Sequence, residues 1–299
     1  MIEVPESFVS AVISREGEAG RTWLAALPEL VADLLDRWRC IPTTPITRGG
    51  VGVILPVKRF DDSPAVLKVS FPHPGNRYEA DAFATWGGRG AVLLYERDDA
   101  NFAMLLEQGE WETLDAAGDV DNQTALIGQL ARRLAVPAPP HLPRLAERAP
   151  EWEDALRTDD AQLGQPLSKR ALDAALATVR ELGSKQPDTM VHGDLHFGNV
   201  VRAQREPWLA IDPKGWAGDL AVDAFKVLVG GRHSLFAAPD LRAELLRRLA
   251  IFADAAEVER ERAVRWAQYD AVSGAHYSRR AGDPAETVGA YEAVAELLS

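Results

Sequence analysis

The stretch 191-VHGDLHFGNV-200 decides how the rest of the chain is read. It places His192, Asp194, His196 and Asn199 within eight residues, among Gly193 and Gly198. Two chemistries suit these letters. On a strand, alternate side chains share one face, and His192, Asp194 and His196 would form a cage for zinc or iron. On a loop, Asp194 could accept a proton from a hydroxyl while the Asn199 amide oxygen holds a hard cation such as magnesium. Glycine is depleted in strands, and apolar neighbours are sparse here, so the loop is the better expectation.

Downstream, 199-NVVRA-203 and 208-WLAID-212 flank the turn Arg205-Glu206-Pro207. A short hairpin brings its outer ends together, so Asn199 and Asp212 are expected side by side. An amide oxygen and a carboxylate suit Mg²⁺ better than zinc. Phosphoryl transfer needs such a pair, with a carboxylate to orient the attacking hydroxyl and a lysine on an upstream strand. Asp194 fits the carboxylate. Lys68 lies inside the apolar strand 65-AVLKVSF-71, where a lysine is otherwise costly. Glu79, in the helical pattern 77-RYEADAFATW-86, is placed to pair with it.

The remaining chain is consistent with two lobes. Residues 20–40 have helical apolar spacing, with a break expected at Pro28. Strands are expected over 51–60, 65–71, 91–97 and 102–107, and Gly87-Gly88 should end the helix between them. Helical patterns follow at 121–134 (with Asp121 as N-cap), 145–158, 167–185 and 219–299. The lobes are expected to be residues 1–106 and 107–299. The fold class is α+β, with a small antiparallel sheet and a larger, mainly helical lobe.

The chain of 299 residues has a formal charge of −12. Such an acidic surface argues against nucleic acid. Residues 1–105 hold 11 basic and 14 acidic groups, and residues 106–299 hold 22 and 31, an excess that would steer a cationic guest to the second lobe. Cys40 is the only cysteine, so no intramolecular disulfide can form and a reducing compartment is natural. The start MIEVPESFVS lacks a signal-peptide pattern, and no apolar run reaches a membrane span. A cytoplasmic monomer is expected.

The pieces 191-VHGDLHFGNV-200, 209-LAIDPKG-215 and 218-GDLAVDAF-225 resemble the aminoglycoside phosphotransferases. With 22-TWLAALP-28 and 86-WGGRGAVLL-94, the Ile-Asp-Pro-Lys-Gly run resembles the streptomycin 6-phosphotransferase and hydroxyurea kinase branch in particular. The resemblance covers nearly the whole chain, most weakly 136–190. It implies a protein-kinase-like two-lobed fold and ATP- and Mg²⁺-dependent phosphorylation of a hydroxyl on a small molecule. On this sequence it makes Asp194 the base, Asn199 and Asp212 the magnesium ligands, and Lys68 and Glu79 the phosphate-holding pair. Streptomycin-like acceptors are implied by the resemblance alone. There are two departures. The glycine loop is 48-RGGVGV-53 rather than G-x-G-x-x-G, and Leu220 stands where proline is common.

Supporting positions are expected around this set. His192 and His196 brace the loop or, for His196, line its rim. Asp219 caps a helix, and Asp223 turns inward toward the loop. Lys214 reaches a phosphate or Asp194, and Trp216 sits beside it. Glu107 is a nucleotide-site candidate at the lobe boundary and, with Glu110, a candidate for the cleft mouth. Three alternatives remain: a housekeeping kinase for a sugar or amino alcohol, a nucleotide-binding module without catalysis, and a metallohydrolase built on His192, Asp194 and His196.

Overall fold

The computed structural model describes residues 4–44, 47–48, 51–230 and 232–299. Helix α1 (Glu6–Arg37) buries Phe8, Val12, Leu27, Val31 and Leu34 on one side. The break expected at Pro28 is absent. The backbone stays helical there, and the non-helical residue is Gly17 (φ 60°, ψ −131°). Proline removes one helical hydrogen bond, but Leu27 and Val31 anchor both sides of it in the core.

Strands β1 (Ile41–Pro42), β2 (Thr47–Arg48), β3 (Gly52–Lys58) and β4 (Pro64–Ser70) open an antiparallel sheet. Helix α2 (Glu79–Trp86) intervenes before β5 (Leu94–Asp98) and β6 (Ala103–Glu107) complete it. The order is β1-β3-β4-β6-β5, with β2 also on β3. The two-residue period of a strand sorts the side chains. Val53, Leu55 and Val57, Ala65, Leu67 and Val69, and Ala103 and Leu105 pack with α1. The opposite face turns Ile54, Val66, Lys68 and Leu106 toward a cleft. Lys68 pairs with Ile54 on one side and Met104 on the other, so it lies mid-sheet and not on an edge.

Helix α2 starts two residues later than expected, after a 3₁₀ turn at Pro74–Asn76, and ends at a left-handed Gly87. The strand expected at 91–97 begins only at Leu94. Residues 90–92 instead bond across to the second lobe, through Val92 N to Ala210 O (3.2 Å) and Ala210 N to Gly90 O (2.9 Å).

The sheet closes at Glu107, and the chain continues into helices α3 (Val120–Leu134), α4 (Ala149–Gln162) and α5 (Lys169–Thr178). Asp119, not Asp121, caps α3, because its side chain accepts from Asp121 N. The short strands β7 (Met190–Val191), β8 (Val200–Arg202), β9 (Trp208–Ala210) and β10 (Trp216–Ala217) carry the loops of interest. Helices α6 (Lys226–Val229), α7 (Arg232–Phe236), α8 (Leu241–Ala256), α9 (Arg260–Ala281) and α10 (Ala285–Leu297) follow. One large core joins Phe197, Leu209, Phe252 and Trp266 of this lobe to Ala82, Phe83 and Trp86 of α2. Among the described residues, no helix is long and apolar enough to cross a membrane.

Candidate active site

Two small β pairs build the site. Strands β8 and β9 form the expected hairpin, and Ile211 N donates to Asn199 O at 2.9 Å, so its open end draws residue 212 toward residue 199. The hairpin is held on both edges. Residues 90–92 bond β9, while Glu110 N donates to Arg202 O (2.7 Å) and Arg202 N to Glu112 O (3.0 Å). Strands β7 and β10, missed in the sequence, pair Val191 with Trp216 and tie the 192–199 loop to the 211–215 loop.

Two glycines permit this packing. Gly193 has φ 80°, and a Cβ there would lie 3.1 Å from Lys214 and Trp216 side-chain atoms. Gly215 has φ 68°, and a Cβ would lie 2.4 Å from Tyr78 O. The loop after Asp212 is thereby seated on the residue just before Glu79.

Lys68 Nζ donates to Glu79 Oε1 and to Asp212 Oδ1, both at 2.6 Å. Burial works against the ammonium, but the two carboxylates outweigh it and hold Lys68 above its ordinary pKa. Asp212 is held well below the carboxylate range, chiefly by Lys68, and so stays ionised. Burial pushes Glu79 upward against the pull of Lys68. Asp212 also has φ 60°, a left-handed backbone uncommon outside glycine and often found at functional sites.

Asn199 donates its amide nitrogen to Asp194 O at 2.9 Å, which leaves its Oδ1 available as a ligand. Asn199 and Asp212 both line a cavity of about 290 Å³, with Lys68, Glu79, Gly52, Ile54, Val66 and Ile211. Exposed Trp111 stands on the same wall. Gly49 and Gly50 of the glycine loop lie outside the described residues.

Asp194 faces two lysines. Lys214 Nζ lies 3.5 Å from Oδ2, and Lys226 Nζ lies 3.3 Å from Oδ1. Lys214 is also 3.8 Å from Asp212 Oδ2, so one ammonium bridges the two carboxylates. Burial raises the Asp194 pKa, but Lys226 and Lys214 prevail and hold it below its ordinary value. Lys226 was not singled out in the sequence. Its one signal was its place three residues after Asp223, on the same helical face. Asp270, an electrostatic partner of Lys226 from α9, is one acid in a long helix and gave no signal.

The histidines serve the backbone. His192 Nε2 donates to Ile211 O (2.9 Å), and its Nδ1 accepts from Asp194 N (3.3 Å). It stacks on Trp86 at 6.1 Å. Burial pushes its pKa down to about 4, so the ring is neutral. Both nitrogens serve the backbone, and among the described residues no three His, Cys, Asp or Glu side chains converge as a metal cage, which argues against the zinc or iron alternative. His196 Nδ1 accepts from Gly198 N, a local brace. Asp223 accepts from Gly193 N (3.1 Å) and Leu195 N (3.3 Å), and burial raises it to about 6. Asp219 caps Ala221 N and accepts from Trp266 Nε1 and Arg262, beneath the loop. Glu107 borders the cavity, but its carboxylate is taken by Arg205 (2.8 Å) and Leu93 N (3.0 Å). It is therefore not free to meet an acceptor amine.

Residues 37–282 match the family described as aminoglycoside/hydroxyurea antibiotic resistance kinase. The chain is 35% identical to a streptomycin 6-kinase of Streptomyces glaucescens, over 89% of this chain and 87% of that one. It is 34% identical to a hydroxyurea phosphotransferase of Kitasatospora aureofaciens, over 89% and 77%. Its fold is similar to that of a choline kinase from Streptococcus pneumoniae, with a TM-score of 0.61 over 91% of this chain and 98% of that one, at 12% identity.

Proposed function

The chain belongs to the aminoglycoside/hydroxyurea antibiotic resistance kinases, and we propose that it transfers the γ-phosphoryl group of ATP to a hydroxyl of a small cationic aminocyclitol glycoside such as streptomycin. The observation that carries this is the Lys214 bridge between Asp194 and Asp212. It sets a carboxylate suited to accept a proton and a metal-type carboxylate on two sides of one cation, close enough to serve one phosphoryl transfer. The acceptor identity rests on the relatives named streptomycin 6-kinase.

In this reading Asp194 orients the acceptor hydroxyl and takes its proton as the new O–P bond forms. The bond from the γ-phosphorus to the bridging oxygen breaks, and ADP leaves with that electron pair. The depressed pKa of Asp194 keeps it unprotonated and ready at neutral pH. Lys68, steadied by Glu79, meets the phosphates of the nucleotide. The apolar cleft residues Ile54, Val66, Leu106 and Ile211 suit a nucleobase. The oxygen donors Asn199 Oδ1 and Asp212 fit magnesium, which would neutralise charge on the phosphate oxygens. Asp223, through two backbone N–H groups, and His192, through Ile211, hold the loops at fixed spacing. The use of ATP is consistent with a cytoplasmic enzyme.

The test is incubation of the purified protein with ATP, Mg²⁺ and streptomycin. The expected product, by mass spectrometry and phosphorus NMR, is streptomycin carrying one phosphate ester. Unmodified streptomycin, with other hydroxyl compounds phosphorylated instead, would replace this acceptor with another.

A further inference from the structure

The turn of the β8–β9 hairpin reaches across to the first lobe. Arg202 pairs with Trp208 at the turn end, so Arg205 stands at the end of the hairpin remote from Asn199 and Asp212. Its guanidinium donates through Nη1 to Gly88 O (2.7 Å) and through Nη2 to Ala91 O (2.8 Å). Nε (3.1 Å) and Nη2 (2.8 Å) also donate to the Glu107 carboxylate. Gly88 and Ala91 lie in the loop after α2 and Glu107 ends β6, so all three acceptors belong to the sheet lobe. The planar fork of arginine suits several acceptors at once. Behind it, Glu206 accepts from Arg133 of α3 at 2.5 and 2.9 Å, which fixes the same turn within the second lobe.

The lobes are joined a second time at the site itself, by Lys68 and Asp212 at 2.6 Å. In the proposed reaction that bond opens, because Lys68 turns to the phosphates and Asp212 to the metal. The Arg205 contacts involve neither residue and persist. We infer that Arg205 is a positioning residue: through the hairpin turn it clasps the two lobes, and so fixes Asn199 and Asp212, at the far end of the hairpin, relative to Lys68 on β4. A nucleotide that must meet Lys68 and the metal ligands together depends on that spacing. A ligand that enters only the apolar part of the cleft depends on it far less. Where the aligned arrangement is only a fraction of the population, apparent affinity falls by that fraction.

The role rests on the proposed reaction for its ligand, and the experiment separates the two. Calorimetry gives dissociation constants for ATP with Mg²⁺ and for adenosine, which carries no phosphate. The proteins are the wild type, Arg205→Met and, as a control that loosens the turn only within the second lobe, Arg133→Met. Arg205→Gln replaces the methionine variant if that one does not fold. Losing charged hydrogen bonds that align the lobes should raise the ATP constant of Arg205→Met roughly tenfold or more, and that for adenosine less than about twofold. Arg133→Met should keep the wild-type ratio of the two constants. In parallel, amide hydrogen exchange reads Val92 N and Ala210 N, which bond across the lobes to Ala210 O and Gly90 O. Both should exchange roughly tenfold faster in Arg205→Met, while Ile211 N, bonded within the hairpin to Asn199 O, keeps its wild-type rate. An unchanged ratio in Arg205→Met, an equal change in Arg133→Met, or unchanged exchange at Val92 and Ala210 overturns the inference. Should the wild type not bind ATP, the proposed function fails and the exchange rates alone decide. Faster exchange at the two cross-lobe amides then supports the clasp, and wild-type rates refute it.

Discussion

Replacing Lys68 with methionine tests the buried ion pair at the centre of the account. The Glu79 side chain is 2% exposed, and Lys68 is its ion partner at 2.6 Å. Methionine fills much the same space but leaves that carboxylate buried without its counter-ion. Breaking a buried pair in this way costs about 3–5 kcal/mol. Asp212, at 37% exposure, regains water and adds little. In a chain of this size that corresponds to a fall in Tm of roughly 10 °C. The sign with pH follows from Glu79, whose folded pKa is raised by burial. A raised carboxylate favours the folded state at low pH and loses that advantage as pH rises. Lys68→Met should therefore be least harmful near pH 5 and most harmful near pH 8. Adding Glu79→Leu removes the stranded charge and should restore most of the stability, while phosphoryl transfer stays lost. Calorimetry of the two variants against the wild type reads all three effects. A Lys68→Met protein that melts like the wild type, or a double variant no more stable than the single one, would refute the reasoning.

Other perturbations separate positioning from chemistry. Asp212→Asn should weaken Mg²⁺ binding, so that half-maximal activity needs more Mg²⁺, which a magnesium titration reads directly. Asp223→Ala leaves Gly193 N and Leu195 N without their acceptor; kcat should fall with little change in nucleotide affinity, measured by calorimetry. His192 is neutral in the fold, with a pKa of about 4. Its contribution is present above pH 6.5 and is lost as pH falls toward 4, amounting to about 2 kcal/mol by pH 5. His192→Asn should flatten that part of the stability curve in denaturant titrations between pH 7 and 5.

The sequence exposed which side chains come together more fully than the boundaries of the elements. Lys68 was legible because a lysine amid Val66, Leu67 and Val69 needs a reason, and Glu79 followed from helix spacing. Asn199 and Asp212 were legible because a hairpin joins its ends. The break expected at Pro28 failed because core packing on either side outweighs one lost hydrogen bond. The missed N-cap at Asp119 lies two residues from a competing aspartate, and both carry the same cap chemistry. Strands β7 and β10 were invisible because two-residue strands have no periodicity to read. Glu107 borders the cavity, but no local pattern announces that Arg205, 98 residues away, takes its carboxylate. Lys226 and Asp270 interact electrostatically between α6 and α9, a relation that no short window of sequence contains.

The most direct test of the account is acceptor-dependent ADP release by the wild type and by Asp194→Asn, with ATP affinity measured for both. Streptomycin should stimulate ADP release by the wild type, Asp194→Asn should lose about 10²–10⁴-fold in kcat, and ATP binding should be preserved. Full turnover by Asp194→Asn would contradict it, because the proton of the acceptor hydroxyl would then be taken elsewhere.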